Sequence, residues 1–181
     1  MDNQLIEGCK KGKRKSFELL YKRYSPVLFG ICYRYSKSRD EAEDILQDGF
    51  IRIYQKIGTF EGKGSFEGWM KRIMINTSIN HYKSNLKHYF HDEVENHQLI
   101  DDGEINLNEM DSSLDRMQLV RLIQELPDGY KLVFNMYVID GLTHNEIAEE
   151  LNISVNTSKT QLFKARKKLR EKLEKLINTD I

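Results

Sequence analysis

The side chains best suited to chemistry in this chain are gathered near its C-terminal end. Asn156, Thr157, Ser158, Lys159, Thr160 and Gln161 form a run of short or flexible hydrogen-bonding groups, and Lys164, Arg166, Lys167, Lys168 and Arg170 follow as cations, with Phe163 between the two sets. Nothing in this series pairs a nucleophile with a base. Its chemistry is non-covalent. The first group can bond base edges or phosphate oxygens, and the second can neutralise phosphates, which makes binding salt-dependent.

Such side chains read a groove only when a scaffold aims them. Thr143-His-Asn-Glu146 has the spacing of a capping box, which predicts a short helix ending at Leu151. Asn152-Ile153-Ser154 then makes a turn, with Ser154 placed to cap a long basic helix reaching about Ile177. Ile147, Ala148, Leu151, Ile153, Val155 and Leu162 fill the core positions of a helix-turn-helix, small Ala148 lying where the two helices cross. A basic helix that merely caps a bundle in solvent is the bland alternative. The filled core and turn favour DNA binding, with the start of the second helix in the major groove. Upstream, apolar periodicity resumes at Leu114 and leads to Leu126-Pro127, and a further helix covers about Tyr130 to Ile139 before Asp140-Gly141 ends it.

A second group lies in DEAEDILQDGFIRIYQKI. Ala42, Ile45, Leu46, Phe50, Ile53 and Ile57 form an apolar stripe on a predicted helix that opens with the capping box Ser38-Arg-Asp-Glu41 and runs to about Ile57. Asp40, Asp44, Gln47 and Asp48 line another face. Carboxylates repel DNA, so this face is either simply solvated or meets a basic protein surface. Before it, Phe17, Leu20, Tyr21 and Tyr24 share one helical face, and Ser25-Pro26 reads as an N-cap with proline in the first turn of a new helix.

The third group, GTFEGKGSFEGWMKRIMINTSINHYKSN, mixes aromatics with cations and amides. Glycines 58, 62, 64 and 68 mark a loop, and a helix begins near Ser65 to Trp69 and continues to about Lys83. Phe60, Phe66 and Trp69 could stack on unpaired bases, while Lys63, Lys71, Arg72 and Lys83 hold a backbone. Trp69, Ile73, Asn76 and Asn80 recur at helical spacing, so one face carries amides suited to base edges. A lone tryptophan in a small helical domain is more often a core residue.

Composition agrees with these elements. The chain has 181 residues and 39% hydrophobic residues, enough for a packed core, and its segments are rich in helix formers with two prolines only, which predicts an all-α protein. The formal net charge of zero hides a strong asymmetry. Residues 1–85 hold sixteen Lys/Arg against ten Asp/Glu, residues 86–118 hold two against nine, and residues 119–181 hold ten against nine. The polar, acidic stretch 86–113 lacks a sustained stripe and reads as a linker, giving two small helical domains, 1–85 and 114–181, joined by an acidic flexible segment. Cys9 and Cys32 have no metal-type spacing and suit a reducing compartment. The start of the chain lacks an apolar run of signal-peptide type, and no segment is apolar enough to span a bilayer, so a cytoplasmic location without membrane insertion is expected.

An enzyme is one rival reading. His81, His88, His91 and His97, with Asp92, Glu93 and Glu95, could be imagined as a metal cluster, but they lie in or beside the linker, where no rigid scaffold fixes their geometry. No phosphate-binding glycine loop or nucleophile motif occurs. The expectation is no catalysis, no cofactor and no metal. A conventional helix-turn-helix regulator with an N-terminal interaction domain is the other rival. It leaves the acidic stripe and the aromatic-basic block unexplained.

The segment LPDGYKLVFNMYVIDGLTHNEIAEELNISVNTSKTQLFKARKKL resembles the promoter-reading C-terminal domain of extracytoplasmic-function sigma factors, a group of the sigma-70 family. The leading Leu-Pro, the Gly-Leu-Thr before the helix-turn-helix and the closing Ala-Arg-Lys-Lys-Leu carry the likeness. It implies reading of the minus-thirty-five element, with Lys159, Thr160 and Phe163 at the base-reading positions. Ser158 stands where the family usually has valine, and Gln161 where it often has arginine. The acidic helix resembles the sigma segment that docks on the clamp of RNA polymerase, which implies contacts from Asp44, Gln47 and Asp48. The aromatic-basic block resembles the part that melts the minus-ten element, which implies a base-holding loop at Phe60 to Ser65 and DNA-facing Asn76 and Asn80. Partners implied are core RNA polymerase through its clamp and flap surfaces, promoter DNA in double- and single-stranded form, and an anti-sigma factor. By its charge the linker is suited to thread the basic RNA-exit path of the polymerase.

Overall fold

In the computed structural model, residues 2–85 and 116–179 are described. The chain divides into two compact units, Met1–Asn85 and Leu86–Ile181. Their secondary structure is helical, with no strand among the described residues. The stretch expected to be a linker, 86–113, lies outside the described residues, as do His88, His91 and His97.

Unit 1 comprises α1 (Asp2–Lys10), α2 (Arg14–Tyr35), α3 (Arg39–Lys56), a 3-10 turn (Ile57–Thr59) and α4 (Phe66–Asn85). The apolar stripe of α2 runs Leu20, Tyr24, Leu28, Ile31, Tyr35, all buried. That stripe explains a departure from expectation. Pro26 does not begin a new helix; it sits inside α2. A proline there forfeits one backbone hydrogen bond. It is nonetheless accommodated, because its ring faces solvent and the buried stripe continues unbroken on either side. α1, unforeseen in the sequence, packs on α2 through Ile6 and Cys9 and also touches the 3-10 turn.

Helix α3 begins where its capping box places it: Ser38 Oγ accepts the Glu41 amide at 3.2 Å. It buries Ala42, Ile45, Leu46, Gly49 and Ile53 against α2 and α4. Phe50, assigned to that stripe, is instead half-buried and pairs with Tyr21, ring centroids 4.6 Å apart. Gly49 takes the inward position because the thioether end of Met74 from α4 occupies the space beside it. A Cβ at Gly49 would lie 2.3 Å from Met74 Sδ, and Met74 is fully buried. Burial also raises the thiol pKa values of Cys9 and Cys32, the latter to about 12, so both stay protonated in the core.

Unit 2 comprises α5 (Arg116–Gln124), α6 (Asp128–Phe134), a π-helical continuation (Asn135–Ile139), α7 (His144–Leu151) and α8 (Val155–Thr179). Leu122, Ile123, Leu126, Leu132, Val133, Phe134, Met136, Ile147 and Leu151 meet Leu162, Ala165 and Leu169 of α8 in one core. The capping box of α7 is complete, Thr143 Oγ1 accepting the Glu146 amide while the Glu146 carboxylate accepts from the Thr143 amide. Asn152 ends α7 in the left-handed region at φ 54°, a conformation asparagine tolerates better than most residues. Ser154 Oγ accepts the Thr157 amide at 2.9 Å and so caps α8.

The contact at Gly49 yields a prediction whose sign depends on its neighbour. Alanine has the better helix propensity by about 1 kcal/mol, yet Gly49→Ala should destabilise unit 1 by roughly 1–2 kcal/mol through overpacking against Met74. In a Met74→Ala background the same change should become neutral or stabilising. Urea unfolding of the four variants checks this, and equal effects in both backgrounds would contradict the close approach.

Candidate nucleic-acid interface

The start of α8 presents its polar side chains unequally. Asn156 and Lys159 are exposed. Thr157 Oγ1 is held by Ser154 Oγ at 2.8 Å, and Thr160 Oγ1 donates back to the Asn156 carbonyl at 2.9 Å. Those hydroxyls reach a ligand only by sharing or exchanging these bonds. Phe163 and Lys164 are half-buried, while Lys167 and Lys168 are exposed on the following turns. Arg166 departs from a simple phosphate-facing cation: its guanidinium lies over the Tyr137 ring, 6.0 Å from the centroid, and its Nε is buried. Gln161 is likewise half-buried, with Oε1 inside.

Sequence reasoning missed the polar link behind this surface. Ser158 is fully buried, and its hydroxyl lies 2.9 Å from Nδ1 of His144 at the start of α7. The His144 ring stacks on Tyr137, centroids 4.4 Å apart. Burial, followed by the positive charges of Lys159 and Arg166, holds the His144 pKa below its ordinary value. The partners stand fourteen residues apart on different helices, which no local pattern announces.

In unit 1 the aromatic side chains divide differently from expectation. Phe60 and Phe66 are 7% and 8% exposed, and with Trp69 they form a cluster with centroid separations of 5.1, 5.5 and 5.7 Å. Phe60 and Phe66 are therefore core residues rather than open stacking platforms. Their apolar faces close on each other and on Tyr24, which meets Phe66 edge-on. Trp69 is half-buried, with one face against Phe66. The exposed loop from Glu61 to Ser65 rests on this cluster. Gly62 and Gly64 adopt positive φ there, of 77° and 86°, which side-chain-bearing residues resist. Lys63 pairs with Glu61 at 2.6 Å, and Ser65 Oγ accepts the Gly68 amide as an N-terminal cap of α4. Arg72, Asn76 and Asn80 are exposed at intervals of four on α4 and make one face.

On α3, Asp40, Asp44, Gln47 and Asp48 are all exposed. Gln47 also lines an open groove of ≈ 700 Å³ between α2 and α3, together with Tyr21, Pro26, Phe29, Glu43 and Leu46. Elsewhere on α2 and α3, Leu19, Val27, Ile51 and Tyr54 are exposed apolar or aromatic residues that the sequence did not single out. Of the histidines weighed as metal ligands, His81 is described; it lies 3.3 Å from the Glu41 carboxylate. No helix among the described residues is long and apolar enough to cross a membrane.

Two family models match the two units in order: sigma-70 region 2 over residues 20–88 and sigma-70 region 4 over residues 116–169. The chain is 33% identical to the ECF RNA polymerase sigma factor SigW of Bacillus subtilis, covering 97% of this chain and 98% of that protein. The chain belongs to the extracytoplasmic-function sigma factors. It is also 29% identical to the ECF RNA polymerase sigma-E factor of Haemophilus influenzae, with 97% of both chains covered. Among solved structures, its fold is similar to that of the sigma factor RpoE of Bartonella quintana in a complex with the anti-sigma factor NepR. The TM-score is 0.51 at 20% identity, over 88% of this chain and 98% of that one. As a sigma factor the chain serves promoter-directed transcription initiation by RNA polymerase.

The half-buried imidazole of His144 gives unit 2 a signed pH dependence. With the folded pKa of His144 below the unfolded value, the unfolded chain takes up the proton first as pH falls. Its contribution to stability is therefore full above about pH 6.5 and is lost as pH drops from there through the folded pKa. Denaturant unfolding of wild type and His144→Gln between pH 7.5 and 5 should show a gap that narrows on the acid side. A constant gap would remove this coupling.

Proposed function

We propose that the two units divide promoter recognition between them. Unit 2, about residues 114–181, reads the upstream element as a duplex: Asn156, Lys159, Thr160 and Phe163 face base edges, and Thr157, Lys164 and Lys167 hold phosphates. The observation that carries this reading is the two-sidedness of α8. Its inward side buries Ser158, Leu162, Ala165 and Leu169, while Asn156 and Lys159 stand in solvent at the end that a major groove admits.

Unit 1, residues 1–85, takes the downstream element as it melts. The glycine loop with Lys63 approaches an extruded base, the exposed part of Trp69 stacks, and Arg72, Asn76 and Asn80 follow the strand along α4. Phe60 supports this surface from beneath, and Ser65 sets the start of α4. The same unit grips the polymerase clamp through Asp40, Asp44, Gln47 and Asp48. A carboxylate row beside a mixed polar and apolar groove suits a basic, partly apolar protein surface and repels DNA. The acidic segment 86–113 joins the two and follows a basic path in the polymerase.

The protein works in the cytoplasm, where its polymerase is, and contributes no catalysis or cofactor of its own. An anti-sigma factor is a further partner on this reading, as the named complex of the structurally similar sigma factor suggests. A conventional operator-binding regulator has no use for the α3 carboxylate row, and no observation favours it.

The double variant Asp44→Ala, Asp48→Ala should weaken association with core polymerase by roughly three- to tenfold and leave discrimination among upstream elements intact. Lys159→Ala should do the reverse, relaxing preference at one upstream position by roughly tenfold. Fluorescence titration with core enzyme and run-off transcription on a promoter library check both. Normal polymerase binding by the acidic double variant would refute the contact surface.

A further inference from the structure

A fully buried hydroxyl needs a reason in a helix that could carry valine at that place. Ser158 is the buried polar residue of α8 among those described, at 0% exposure, and without a partner its hydroxyl would cost more than it gains. Its partner is His144 Nδ1 at 2.9 Å. The imidazole is backed by Tyr137 at 4.4 Å, and Tyr137 is covered in turn by Arg166, which returns to α8 eight residues beyond Ser158. The column Ser158–His144–Tyr137–Arg166 thus ties α8 at two heights to α7 and to the π-helical segment.

The direction of this tie matters for reading. At 100° per residue, Asn156 and Thr160 lie on nearly the opposite side of α8 from Ser158, and Lys159 lies a quarter-turn away. Rotating the helix by about 20° would move a side-chain tip at its rim by about 2 Å, far outside the tolerance of a hydrogen bond to a base edge. Apolar packing of Leu162, Ala165 and Leu169 supplies adhesion, but it lacks the directionality of a 2.9 Å hydrogen bond.

We propose that His144 and Ser158 are positioning residues for upstream-element recognition: their hydrogen bond, buttressed by Tyr137 and Arg166, fixes the rotation of α8 and hence the aim of Asn156, Lys159 and Thr160. This rests on the reading of unit 2 as the duplex-reading unit. The imidazole works in its neutral form. Lys159 and Arg166 face it from α8 and oppose a further positive charge, and Tyr137 offers it a ring from the π-helical segment. On its own helix, the Glu146 carboxylate is occupied by Thr143 in the capping box.

The test uses holoenzyme assembled from the full-length chain and core polymerase, scored for discrimination between a preferred upstream element and single-base variants of it. His144→Ala and Ser158→Ala should each reduce discrimination about fivefold, and the double variant should be no worse than either alone. Ser158→Thr, which keeps the hydroxyl, should restore most of it. Between pH 7.5 and 5, discrimination by the wild type should fall as the pH drops through the depressed pKa of His144, while that of His144→Ala should stay level. Multiplying effects in the double variant, or pH profiles that run parallel, would overturn the proposal. Should the substituted chains fail to fold, the imidazole titration of His144 in the unsubstituted chain decides: a pKa at or above the ordinary 6.5 overturns the proposal, and a lower one supports it. Wild-type holoenzyme indifferent to the upstream sequence would instead defeat the reading of unit 2 itself.

Discussion

On the proposed reading each unit offers polar side chains to a partner from one side of a helix, and each can do so only because the other side of that helix is closed by burial. In unit 1 the helix is α4, whose buried Met70, Met74 and Ile79 lean on α2 and α3 while Arg72, Asn76 and Asn80 stand free. In unit 2 it is α8, closed by Leu162, Ala165 and Leu169. Loss of that closure would leave the polar groups present but unaimed, and recognition at hydrogen-bond precision requires aim. Core and site are therefore one structural problem in this protein. Gly49 on α3 belongs to that support because it leaves room for the Met74 side chain of α4.

The two units achieve rigidity by different means. Unit 1 uses aromatic mass: Phe60, Phe66, Trp69 and Tyr24 form a continuous cluster beneath the glycine loop. A loop with two positive-φ glycines has few contacts of its own, so the floor under it must be firm. Both units cap their helices with side chains, at Ser38 and Ser65 in the first and at Thr143 and Ser154 in the second, but unit 2 adds a directional link between helices, the His144–Ser158 bond. Tight aromatic packing suits a surface that receives bases one at a time by stacking, which tolerates sliding of a ring across a ring. Directional bonds suit a helix that must meet base edges in a fixed register.

What was legible in the sequence follows from how local each cause is. The starts of α3, α7 and α8 were readable because a cap and its amide lie within three residues, as at Ser38, Thr143 and Ser154. The helical class, the helix-turn-helix and the exposed row from Asp40 to Asp48 were readable from spacing alone. Pro26 misled because a local signal was weighed above a periodicity that spans it. α1 escaped notice because two buried residues, Ile6 and Cys9, are too few to make a pattern. The burial of Phe60, the inward turn of Gly49 and the partner of Ser158 were not readable, since each is decided by a residue on another element.

The departures from the family's usual residues gain a physical sense from this last group. Serine in place of valine at position 158 looks, in the sequence, like a modest loss of packing. In the structure the position is polar together with its neighbour: a buried hydroxyl and a half-buried imidazole satisfy each other. Exchanging either alone strands its partner, whereas exchanging both for apolar groups removes the debt. Gln161, half-buried beside the pair, lies on the same inward-turning arc of α8. Ser158 and Gln161, which distinguish this chain from the common pattern, thus lie on the inward side of α8, and on the proposed reading they bear on recognition through the orientation of the helix.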